Sequence, residues 1–235
     1  MSARDDNFQH YETIAGRFDA TYDRENSNHL YKIEQISRVM FDNLPSLERY
    51  DVLELGGGTG IHAHHFIEAN RHRNLRYTLS DLSPLMLEQA RVRLRGFDVD
   101  YFASAAENIA TNRKFDAIFC SGAMHHFENV WQSIESMRDH LNPRGVVVVC
   151  EPIVWNPVNF VKAAKDRLEW SQFTATRSNV ARMLRESGLS LTTNRVLHWR
   201  AGSPFIRRLW PYNSLEAYTA LDLGAVMYLL AATKR

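Results

Sequence analysis

An acid and three spaced glycines are the residues best placed for chemistry: Glu54-Leu55-Gly56-Gly57-Gly58-Thr59-Gly60. Glycines at such a turn let the backbone bend sharply and approach a ligand closely. Spacing then selects the ligand. A dinucleotide fingerprint, G-x-G-x-x-G, needs glycine where Ile61 stands, and a P-loop needs a Lys-Ser/Thr pair after its last glycine. Neither is met. Asp81 follows about 20 residues later, where an acid accepts both hydroxyls of a ribose. It also suits the N-terminal acid of the helix opened by Ser83-Pro84, but the glycine loop favours ribose.

A second group is suited to proton transfer. His125, His126 and Glu151 fall at the ends of two apolar runs. Histidine titrates near neutral pH, and a carboxylate can orient it. Neighbouring side chains do not readily face one cleft, so one histidine is structural, and His126 is preferred as the base. Glu151 is read as functional, against a cap or a salt bridge.

Alternating strand-like and helix-like segments must position these residues, which predicts a mainly parallel sheet covered on both faces. Strands are expected at Asp51–Leu55, Tyr77–Ser80, Val99–Ala103, Phe115–Cys120 and Val146–Cys150. Helices are expected over Ile61–Ala69, from Ser83-Pro84 to Leu94, and over Val130–Leu141, the last stopped by Asn142-Pro143-Arg144-Gly145. Gly188–Trp199 and Ala225–Ala232 read as a closing antiparallel pair. Residues 1–47 read as a helical cap and 48–235 as the core, with insertions at 152–177 and 200–222.

The chain has 235 residues, 45% hydrophobic and 23% charged, ordinary for one α/β domain. A net charge of +1 gives no field for nucleic acid. Cys120 and Cys150 lie in apolar runs and read as buried thiols of a reducing compartment. MSARDDNFQH lacks the apolar stretch of a signal peptide, and no run reaches the roughly 18–20 residues of a membrane span. A soluble cytoplasmic protein is expected.

VLELGGGTG, YTLSDLSPLMLEQAR, ASAAEN, FDAIFCSGAMHHFEN and LNPRGVVVVCEP, in this order, resemble the class I S-adenosylmethionine-dependent methyltransferases over about residues 50–235. The resemblance implies a Rossmann-like, seven-stranded, mostly parallel sheet with its last strand antiparallel. It implies S-adenosylmethionine across the strand ends and S-adenosylhomocysteine as product, with no metal. Gly56, Gly58 and Gly60 would pass under the cofactor, and Glu54 would orient the loop or the amino-acid end. Asp81 would hold the ribose, Leu82 and Met86 would flank the adenine, and Ser121 would meet the methionine moiety. Relatives often carry Asp where Ala105 stands, so backbone at Ala106 and Glu107 would hold the adenine. N-terminal helices of relatives fold over the cofactor. Tyr11 and Tyr22 are the candidates to face it, whereas Phe8 and Phe18 are assigned to packing.

Methyl transfer gains up to roughly 7–11 kcal/mol from in-line positioning, and a base adds about 100- to 10,000-fold. The expected acceptor is a small molecule, methylated at oxygen or nitrogen. The insertions interleave Trp155, Lys162, Lys165, Arg167, Trp170 and Arg177, then Trp199, Arg200, Arg207, Arg208, Trp210 and Tyr212. They suit an aromatic, sugar or lipid-linked acceptor, or a membrane surface, although packing explains most of them. The Asn/Asp-Pro-Pro-aromatic motif and the Pro-Cys nucleophile of nucleic-acid methylators are both missing. The alternatives are a non-methylating lyase or cyclase and a cofactor-binding partner subunit. Oligomeric state stays open.

Overall fold

The computed structural model describes residues 8–15, 26–154, 160, 164, 172–198 and 225–234. Helix α1 (8–15) and α2 (Asn26–Asp42) precede β1 (Tyr50–Leu55), α3 (Ile61–Ala69), β2 (Leu75–Asp81), α4 (Pro84–Arg93) and β3 (Val99–Ala103). There follow β4 (Phe115–Ser121), a 3-10 turn (Met124–His126), α5 (Val130–Asp139), β5 (Leu141–Pro152), α6 (Arg177–Glu186), β6 (Ser190–His198) and β7 (Ala225–Thr233). One seven-stranded sheet runs β3-β2-β1-β4-β5-β7-β6. The first five strands pair in parallel, and β7 is antiparallel to both neighbours. This is the Rossmann-like sheet expected.

Both faces are covered. Leu53, Ile118, Val147 and Val149 pack with Ile134 and Met137 of α5 and Leu184 of α6. Val52, Phe119 and Val148 pack with Ile36 of α2, Phe66 of α3 and Ala90 of α4. Successive valines of β5 thus enter opposite cores, which is why that run shows no polar alternation. Strand order reverses between β1 and β4, and the crevice at their carboxyl ends is the usual ligand position in such sheets.

The boundary between α5 and β5 differs most from the sequence reading. Helix α5 ends at Asp139, and β5 already begins at Leu141. The Asn142–Gly145 stretch is held against the far end of the chain: Arg144 N donates to Lys234 O, and Lys234 N to Gly145 O. Lys234 Nζ also donates to the carbonyls of Arg138 and Leu141, closing the end of α5. Tyr22, Phe18 and the tryptophans and cations of both insertions lie outside the described residues. Arg177 is the exception and donates to Asn194 Oδ1 of β6 at 2.8 Å. Among the described residues no helix is long and apolar enough to cross a membrane.

Ser83 starts α4 as its sequence suggested, accepting from Met86 N at 3.1 Å with Pro84 next in line. A lost N-cap costs about 1 kcal/mol. Ser83→Ala is therefore expected to lower unfolding stability by about that amount in a denaturant titration.

Candidate functional site

A cleft opens at the strand ends, walled by the glycine loop, Asp81, residues 104–107 and the turn after β4. Its floor is the glycine loop. Gly56 has φ +67, and a Cβ there would lie 2.5 Å from Ala123 Cβ. That close approach lets β1 and the turn after β4 meet. Gly58 has φ +52 with nothing within 4 Å of a built Cβ, so it leaves open space on the cleft. Gly60 is different: a Cβ there would press on Leu94 and Ala90 at 3.1 and 3.2 Å. It serves the packing of α3 on α4 and does not line the cleft.

Asp81 ends β2 at the cleft. Its Oδ2 accepts from Gly58 N at 2.8 Å, and its Oδ1 from Ser83 N at 2.9 Å. Leu82 N is a third backbone donor to this carboxylate. Burial raises its pKa, against the backbone donors that lower it. Leu82 and Met86 line the cleft beside it, as do Ala105, Ala106 and Glu107. The latter segment is fixed locally. Ser104 N donates to Asp81 O, Ser104 Oγ accepts from Ala110 N, and Glu107 Oε1 accepts from Asn129 N.

The histidine pair divides. His126 lines the cleft, with Nε2 2.9 Å from the Tyr11 hydroxyl of α1. His125 is buried, with Nδ1 2.5 Å from Glu151 Oε2. Glu151 is fully buried and does not reach the cleft. Its Oε1 accepts from both Ala123 N and Met124 N at 2.9 Å. Glu151 therefore anchors the 3-10 turn from below, and the turn presents His126. Glu54 and Ser121 are also buried and absent from the cleft wall.

Helix α1 closes over the cleft. Tyr11 docks on His126, and Glu12 accepts from Ser83 Oγ and from Leu85 N. Phe8, read as a packing residue, lines the cleft instead. Sequence reading also missed Glu12, Phe127 and Glu128. Phe127 and Glu128 follow directly on the histidine pair, which was the available signal. Glu12 had none, since its partner lies 71 residues away.

Residues 53–147 match the methyltransferase domain family. The chain is 23% identical over 118 residues to a ubiquinone biosynthesis O-methyltransferase of Rickettsia canadensis, covering 50% of this chain and 49% of that protein. It is 27% identical over 105 residues to a malonyl-[acyl-carrier protein] O-methyltransferase of Acetivibrio thermocellus, covering 45% and 36%. The chain spans about half or less of the length of these relatives. Among solved structures, a chain from the Haloferax volcanii complex of the Trm112 methyltransferase activator with a methyltransferase superposes with TM-score 0.72, at 14% identity and 95% and 96% coverage. The N-methyltransferase NodS of Bradyrhizobium japonicum superposes with TM-score 0.61, at 16% identity and 89% and 98% coverage. Strand order, glycine loop and domain match agree: residues 53–147 match a methyltransferase domain, and the sheet has the Rossmann-like methyltransferase fold.

Proposed function

We propose that the chain binds S-adenosylmethionine in this cleft and moves its methyl group to an oxygen or nitrogen of a small-molecule acceptor. The observation that carries the reading is that His126, Asp81 and the open Gly58 backbone share one cleft. The residues present fit the cofactor. Gly58 leaves room for a close ligand, and Asp81 brings a carboxylate to the cleft wall as a hydroxyl acceptor. Apolar Leu82 and Met86 suit an adenine.

When bound, the cofactor supplies a methyl already activated on a sulfonium. The chain's own residues then position and exclude. Asp81 orients the ribose, and Gly56 and Gly58 admit the amino-acid end. Phe8, Met86 and Phe127 shield the site from water. His126 Nε2 takes the acceptor's proton as methyl transfer proceeds, once the acceptor has displaced the Tyr11 hydroxyl from that nitrogen. His125 and Glu151 keep the turn rigid, so that geometry is set before the acceptor arrives.

His126→Ala tests the base. Turnover is expected to fall by about 100- to 10,000-fold, with the cofactor dissociation constant within about twofold of the parent. Undiminished turnover would return His126 to a packing role.

A further inference from the structure

Within the cleft the chain already holds one phenol against the base. The Tyr11 hydroxyl of α1 lies 2.9 Å from His126 Nε2. The Tyr11 ring stands edge-on to the imidazole, with centroids 5.4 Å apart and planes at 79°. With Nε2 unprotonated the hydroxyl donates to it, as a hydroxyl about to lose its proton must. Tyr11 is half-buried and belongs to neither core. The tie of α1 to α4 runs instead through Glu12, which accepts from Ser83 Oγ and Leu85 N.

The rest of the wall suits an uncharged aryl group. Phe8, Leu82, Met86 and Phe127 supply apolar surface. Gly122, on the turn that leads to His126, has φ +67 and nothing within 4 Å of a built Cβ, so it leaves space on the same wall. Among the described residues, the acids of the cleft wall are Asp81, Glu107 and Glu128. Three carboxylates repel an acceptor that bears phosphate or carboxylate. The lone imidazole then selects among hydroxyls. A phenol ionises near pH 10 and an imidazolium near about 6.5, whereas an aliphatic alcohol lies close to water, at about 16. The gap to be crossed is about 3–4 pH units for the phenol and about 9 for the alcohol.

We propose that the acceptor is an uncharged phenol, and that Tyr11 holds its place in the free protein. During the reaction the acceptor's hydroxyl sits at His126 Nε2, where the Tyr11 hydroxyl lies now. Its proton passes to Nε2 and its oxygen bonds to the methyl carbon. The bond from that carbon to the sulfonium breaks, and its electron pair stays on sulfur. The products are an aryl methyl ether and S-adenosylhomocysteine, and the imidazolium returns its proton to solvent. The proposal rests on the methyl-transfer reading of the cleft, with His126 as base.

Calorimetric binding of p-cresol, the tyrosine side chain as a free molecule, tests the placement in the presence of S-adenosylhomocysteine. Tyr11→Ala empties the phenol's place and should bind p-cresol about tenfold more tightly than the parent, the gain expected if the resident side chain fills the site about nine-tenths of the time. Adding His126→Ala should remove that gain. The chemistry is tested on the parent protein, without any variant, by offering p-cresol, benzyl alcohol, benzylamine and benzoate separately with methyl-labelled S-adenosylmethionine. Label should pass to p-cresol about tenfold faster than to the other three, or better. Equal p-cresol affinity in the parent and Tyr11→Ala would overturn the proposal. So would a gain that persists without His126, or p-cresol not labelled ahead of the other three. Transfer to one of those in place of p-cresol would leave the methyl-transfer reading standing, whereas a protein that retains no S-adenosylmethionine would lose both.

Discussion

Replacing Asp81 with alanine is expected to weaken S-adenosylmethionine binding by about one to two orders of magnitude. Hydrogen bonds to a charged group contribute roughly 1.5–3 kcal/mol each. The variant loses the ribose contacts and also internal ones. Gly58 N and Ser83 N both donate to Asp81, so the glycine loop and the start of α4 lose their common acceptor. Asp81→Asn separates these effects. Its amide oxygen can still accept one backbone proton, while its NH2 group cannot accept from a hydroxyl. The Asp81→Asn protein should therefore retain stability better than affinity. An unchanged dissociation constant in both variants would contradict the ribose assignment.

Glu151→Ala is expected to cost more in stability than any cleft substitution. The carboxylate accepts from Ala123 N, Met124 N and His125 Nδ1, all in the interior. Breaking a buried, hydrogen-bonded charge cluster from one side typically costs about 3–5 kcal/mol. The 3-10 turn would lose its anchor and His126 its placement. Activity should fall in the remaining folded protein. Glu151→Gln keeps one acceptor oxygen for Ala123 N and Met124 N, so it should recover stability before activity. Denaturant unfolding of the three proteins, with turnover measured on each, reads both effects. A Glu151→Ala protein as stable as the parent would remove the anchor role.

Much of this was legible in the sequence because it depends on local chemistry. Apolar runs ending in Glu54-Leu55, Ser80-Asp81 and Cys150-Glu151 marked the strands, and Ser83-Pro84 marked the start of α4. Side-chain direction at a strand end was harder to read. Glu151 was expected to serve the cleft, but β5 pairs with β4 so that Cys150 stands opposite Ser121, and Glu151 turns to the peptide groups after it. Period-2 alternation makes such an assignment hinge on one residue of register. Gly60 looked like its loop neighbours, yet its demand comes from Ala90 and Leu94 on another helix. Ser121 likewise fell at a suitable chain position and is buried behind the wall. The docking of α1 through Tyr11 and Glu12 joins residues 115 and 71 positions apart, and no local pattern records such contacts.

Equilibrium dialysis of the purified protein against methyl-labelled S-adenosylmethionine, with S-adenosylhomocysteine and NADH as competitors, tests the central claim most directly. Saturable binding near one per chain is the predicted result, displaced by S-adenosylhomocysteine, untouched by NADH, and weakened by about one to two orders of magnitude in Asp81→Ala. Displacement by NADH, or no retained label, would contradict it.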